Sequence, residues 1–121
     1  MYKISIKTKF AAAHRLREYE GACENLHGHN WIVQAQVGVE KLNNIGIAYD
    51  FKLLKADVND IVDRLDHQFL NEIEPFDKIN PTSENVAKFI FDSLQSKLPS
   101  HLKVMSVSVG ESENYTSIYE E

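Results

Sequence analysis

Residues 2–14 alternate with a period of two. Tyr2, Ile4, Ile6, Thr8, Phe10 and Ala12 fall on one parity, and Lys3, Ser5, Lys7 and Lys9 on the other. That rhythm predicts a half-buried strand. It recurs from Asn30, with Trp31, Val33, Ala35, Val37 and Val39 facing one way and Asn30, Gln34 and Gln36 the other. Two long strands of this kind require a sheet with one apolar face, and an apolar layer to cover it.

The covering layer follows. Residues 40–46 read as a turn, with a short return strand over Ile47–Tyr49. Asp50 is placed to cap a helix running to about Asp66, because Leu54, Val58, Ile61, Val62 and Leu65 form a single stripe. After a loop holding Pro75 and Pro81, Thr82 reads as the cap of a second helix, with Glu84 in its first turn. Val86, Phe89, Ile90, Leu94 and Leu98 give this helix its apolar face, and Pro99 ends it. Strand character returns at 103–111, where Met105, Val107 and Val109 share a parity, and again at about Tyr115–Tyr119. The order is β-β-α-α-β-β, which predicts an α+β fold: one antiparallel sheet with both helices on one face. The other face carries lysine, glutamine and serine and is expected to meet solvent or the interior of an assembly. Open sheet edges in so small a chain invite pairing with other copies.

At 121 residues the chain reads as a single domain, 1–121. No apolar run reaches the roughly 18 residues that span a bilayer. The alternating N-terminus is not an apolar signal block, and one cysteine forms no internal disulfide, so a cytoplasmic setting is expected. With 13 basic and 18 acidic residues and no basic stripe, nucleic acid is not expected as a partner. An anionic small molecule remains compatible, since local basic residues decide that.

The chemistry concentrates in Cys23-Glu24-Asn25-Leu26-His27-Gly28-His29. His14 continues the even row of the first strand, and His27 and His29 continue the odd row of the second. Residues i and i+2 of a strand point the same way. In the absence of a bulge, all three imidazoles emerge from the helix-covered side at the end of the sheet. Three neutral imidazoles suit Zn²⁺ and leave its fourth position open. Cys23 is either that fourth ligand, closing a structural site, or a base or nucleophile whose thiol a nearby cation acidifies. An inert buried thiol is the third reading.

Asp66-His67 ends the first predicted helix. A histidine there is favoured in its charged form by the helix dipole and is oriented by the adjacent carboxylate, which suits a proton donor. The plainer reading is a polar pair that ends a helix. Glu111 falls in phase with Met105, Val107 and Val109, so it faces the apolar side at a strand end. There a carboxylate needs a partner, such as the two N–H groups of an amino-bearing heterocycle, unless it splays into solvent. His101 reads as a loop residue.

Together, Phe10-Ala11-Ala12-Ala13-His14-Arg15-Leu16, Cys23-x3-His27-Gly28-His29, Arg64-Leu65-Asp66-His67, Asn80-Pro81-Thr82-Ser83-Glu84-Asn85 and Val109-Gly110-Glu111 resemble the 6-pyruvoyl-tetrahydropterin synthase family. Within it they are similar to the bacterial 6-carboxytetrahydropterin synthase branch of queuosine biosynthesis. The resemblance implies the tunnelling fold, whose copies pair into barrels, commonly a hexamer of two trimers with the active site between subunits. It implies zinc on His14, His27 and His29, Cys23 as proton-abstracting base, Asp66 and His67 as a proton-transfer pair, and Glu111 as the anchor of a pterin ring. Thr82 is implied to line the pterin pocket, and Arg15 and Lys9 are candidates for phosphate. The implied reaction converts 7,8-dihydroneopterin triphosphate and water into 6-carboxytetrahydropterin, acetaldehyde and triphosphate.

Glu24 keeps a second reaction open. In a related branch, a glutamate three residues before the first histidine of His-Gly-His is the base that cleaves a dihydroneopterin side chain to 6-hydroxymethyl-dihydropterin for folate synthesis. Glu24 stands at that position, so this chain resembles both patterns, and Glu24 is a possible second base. A non-catalytic pterin- or metal-binding module is the alternative of a different class.

Overall fold

A computed structural model of the chain describes residues 1–17 and 25–121. Cys23 and Glu24 lie outside the described residues. Strands β1 (Tyr2–His14) and β2 (His27–Val39) form a long antiparallel hairpin in continuous register, from Tyr2 opposite Val39 to His14 opposite His27. No bulge interrupts it, so parity carries unbroken to the histidines. Helix α1 (Phe51–Val62) and helix α2 (Ser83–Lys97) cover one face, α1 against β1 and α2 against the antiparallel strands β4 (Lys103–Gly110) and β5 (Ser117–Glu120). A two-residue strand, β3 (Gln68–Phe69), pairs in parallel with Ala12–Ala13. The sheet is open, in the order β3-β1-β2-β4-β5. The core is the row predicted from alternation, with Trp31, Val33 and Ala35 fully buried in one cluster with Leu54, Val58 and Ile61 of α1. No helix among the described residues is long and apolar enough to cross a membrane.

Four expectations change. Ile47–Tyr49 is not a strand. The Asn43 side chain accepts the N–H groups of Ile45 and Ile47, which removes donors that a ladder needs. Helix α1 stops at Val62 and not at Asp66. Beyond it the turns tighten, Arg64 N–H donating to Ile61 and Leu65 N–H to Val62, although Leu65 remains buried in the predicted stripe. The helix-dipole argument for His67 therefore falls, because the dipole acts only within the last turn. Strand β4 takes a register shift opposite Gln36/Val37, so Val104 joins the buried row in place of Met105. Val107 and Val109 keep the predicted parity. The parallel strand β3 was not expected at all.

Candidate metal centre

The three histidines meet at one end of the hairpin. Their ring centroids lie 4.7 Å (His14–His27), 5.2 Å (His14–His29) and 4.6 Å (His27–His29) apart. Glu111, the first residue beyond β4, joins them, and one ligand atom from each of the four lies within 4.8 Å of the others. Trp31 floors the cluster, edge-on to His14 at 4.8 Å, and its Nε1–H donates to the Ala12 carbonyl at 3.2 Å.

Hydrogen bonds on the far side of two rings fix which nitrogen is free. His14 Nδ1–H donates to the Pro81 carbonyl at 2.7 Å, and His27 Nδ1–H donates to the Asn25 carbonyl at 2.6 Å. A carbonyl can only accept, so each ring carries a proton on Nδ1, which leaves Nε2 as the nitrogen a metal would take. Carbonyl support of this kind orients metal-binding histidines. Burial pushes the His14 and His29 imidazoles below their ordinary titration range, against the opposing pull of Glu111 on both and of the Pro81 carbonyl on His14. Both rings are therefore neutral near neutral pH.

The buried nitrogens His14 Nε2 and His29 Nε2 lack hydrogen-bond partners. Glu111 Oε2 is 3.1 Å from His29 Nε2, and Oε1 is 3.8 Å from His14 Nε2, but neither pair has hydrogen-bond geometry. Lone pairs of nitrogen and oxygen converging on a common point are costly unless a cation sits there. The donor set, three imidazoles and a carboxylate, fits a divalent metal of the zinc type.

The segment after β1 is held by side chains that imitate a strand. The Asn71 amide accepts from Arg15 N–H and donates to the Arg15 carbonyl, both at 2.9 Å. Asn80 does the same for Arg17 at 2.8 and 2.9 Å. The Arg17 guanidinium donates to the carbonyls of Phe76, Ile79 and Asn71. Asn85 in turn donates to the Asn80 carbonyl. The motif Asn80–Asn85 thus grips the end of β1 and presents the Pro81 carbonyl to His14. Thr82 caps α2, its hydroxyl accepting from Asn85 N–H at 3.0 Å. Asn80 was visible within a motif, whereas Asn71 carried no sequence signal.

Asp66 and His67 stand apart from the cluster. Asp66 accepts the Ala11 N–H at 2.8 Å, and His67 N–H donates to the Ala11 carbonyl. The pair therefore closes the ladder at the outer edge of β1. His67 holds a left-handed φ of 58°, which turns the chain from the helix layer into β3. Its Nδ1 lies 3.0 Å from Asp66 Oδ2, and its ring is 82% exposed. Hydrogen bonding to Ala11 N–H, helped by His67, holds the Asp66 carboxyl below its usual range. An open cleft of about 580 Å³ is bordered by both His29 and His67.

Comparison with known proteins gives the family and the fold. Residues 3–121 match the family model described as "6-pyruvoyl tetrahydropterin synthase". The chain is 38% identical over 111 residues to a putative 6-carboxy-5,6,7,8-tetrahydropterin synthase of Archaeoglobus fulgidus, covering 92% of this chain and 89% of that one. It is 34% identical over 113 residues to a dihydroneopterin monophosphate aldolase of Pyrococcus furiosus, covering 93% and 92%. Its fold superposes on Caenorhabditis elegans 6-pyruvoyl tetrahydropterin synthase with a TM-score of 0.88 at 29% identity, covering 99% of this chain and 95% of that one. The chain is an enzyme of the 6-pyruvoyl tetrahydropterin synthase family, with that family's tunnelling fold.

Proposed function

We propose that this enzyme is a zinc-dependent 6-carboxytetrahydropterin synthase, which converts 7,8-dihydroneopterin triphosphate and water to 6-carboxytetrahydropterin, acetaldehyde and triphosphate in queuosine biosynthesis. The observation that carries the reading is the convergence of three imidazoles, His14, His27 and His29, in a chain similar to proteins named for that synthesis. Membership of an enzyme family speaks against the non-catalytic binding module.

In this reading His14, His27 and His29 hold the ion, which when bound supplies Lewis acidity to the substrate side chain. Cys23 removes a carbon-bound proton, and His67, oriented by Asp66, returns one. Glu111 accepts the ring N–H and amino groups of the pterin, fixing its position. Thr82 lines the pterin pocket. Lys9, which borders a cleft with His29 and Glu111, is the phosphate candidate with a place beside the cluster. The active enzyme is a homo-oligomer, a hexamer of two trimers. Open sheet edges at β3 and β5 support this. One domain over 1–121 and a cytoplasmic setting complete the reading.

The test is to incubate zinc-loaded protein with 7,8-dihydroneopterin triphosphate and identify products by mass. Carboxytetrahydropterin with acetaldehyde is the expected outcome, and absence of both sinks the proposal. A second reading, side-chain cleavage to 6-hydroxymethyl-dihydropterin, is favoured by Glu24 and by the similarity to the Pyrococcus aldolase. Glu24→Ala separates the two, since it removes the second product and spares the first.

A further inference from the structure

Glu111 borders two spaces. On one side its carboxylate completes the histidine cluster, with its two oxygens toward His29 and His14. On the other it lines an open cleft of about 390 Å³ with Lys9, Asn30 and Ser112. Its backbone sits just past the last ladder pair of β4, Ile32 with Gly110. Gly110 is held by close packing, because a Cβ there would lie 2.6 Å from the Tyr115 carbonyl oxygen. The main chain is therefore held while the Glu111 side chain is 31% exposed.

One carboxylate cannot serve both spaces at once. Turned inward, it gives a divalent ion a fourth ligand and offsets half its charge in a half-buried site. Turned outward, it can accept the paired N–H groups of a flat heterocycle. We propose that Glu111 is an exchangeable fourth ligand. It closes the metal site while the cleft is empty, and an incoming pterin draws it away, so that the fourth position opens only when substrate is bound. The proposal rests on the pterin-enzyme reading and adds a resting state to it. It explains why a residue suited to ring recognition lies against two unpartnered imidazole nitrogens.

The experiment uses the full chain loaded with Co²⁺, whose visible absorption reports ligand number and type. Unsubstituted pterin, which has no side chain to react, is added while its own fluorescence reports binding. The expected result is a saturable change in the cobalt spectrum with the same midpoint as the fluorescence change. Glu111→Gln, with its fold verified by circular dichroism, should alter the cobalt spectrum before any pterin is added. It should also weaken Co²⁺ binding by about tenfold or more. Pterin binding that leaves the wild-type cobalt spectrum unchanged overturns the exchange, as does a Glu111→Gln spectrum identical to wild type. Pterin that fails to bind wild-type protein overturns the underlying functional reading together with the exchange, whereas the pterin-free cobalt comparison still tests Glu111 as a ligand.

Discussion

The Asn71 side-chain amide faces the Arg15 backbone in both directions, accepting its N–H and donating to its carbonyl. Asn71 is itself only 9% exposed. Replacing it with alanine strands both Arg15 groups, and unsatisfied polar groups cost about 1–3 kcal/mol. Asn71→Ala should lower the urea midpoint accordingly, and Asn71→Asp, which keeps the acceptor but loses the donor, should do so by less. Equal loss in both variants would refute the two-way clamp.

The histidine cluster predicts a metal-dependent stability. Zn²⁺ binding to the folded form alone should raise the melting temperature in a concentration-dependent way, and a chelator should reverse it. His29→Ala should reduce metal content from about one ion per chain to background while preserving the fold, since His29 is only partly buried. His14→Ala should also lose the metal, but at a further cost of about 1–3 kcal/mol, because the Pro81 carbonyl loses its buried donor. Elemental analysis and calorimetry measure both. Full metal content in His29→Ala would remove that residue from the ligand set.

Thr82 caps α2 through Asn85 N–H. Thr82→Ala should destabilise by about 1 kcal/mol, and Thr82→Ser should restore most of it. If Thr82 also lines the pterin pocket, KM should rise in Thr82→Ala and stay near wild type in Thr82→Ser. Stability loss with unchanged KM would leave only the cap.

Asp66 supplies a pH dependence. Its folded carboxyl titrates below the usual value because of Ala11 N–H first and His67 next. The folded form thus binds this proton less readily than the unfolded form. The stabilisation is complete above the unfolded carboxylate value of about 3.9 and is lost as pH falls through the lower folded value. Asp66→Asn should be less stable than wild type at about pH 7, and the gap should narrow below about pH 4. Urea unfolding at a series of pH values decides it, and a gap constant with pH would argue against the shift.

Alternation alone determined most of what positions the site. A period of two is a local property, and a continuous hairpin transmits it, so His14, His27 and His29 were assignable to one face from their parity with Phe10 and Trp31. Helical stripes identified Leu54 to Leu65 and Val86 to Leu94 as the covering layer for the same reason. The remaining features depend on residues far apart in the chain. The end of α1 at Val62 and the left-handed turn at His67 follow from Ala11 capturing Asp66 and His67, 55 positions away for Asp66. Parity put Glu111 on the face of Val107 and Val109, while its approach to His14 and His29 comes from the pairing of β4 with β2. The clamp of Asn71 on Arg15 spans 56 positions. Such contacts leave no periodic trace. They form because buried polar groups must find partners wherever the packed chain brings them.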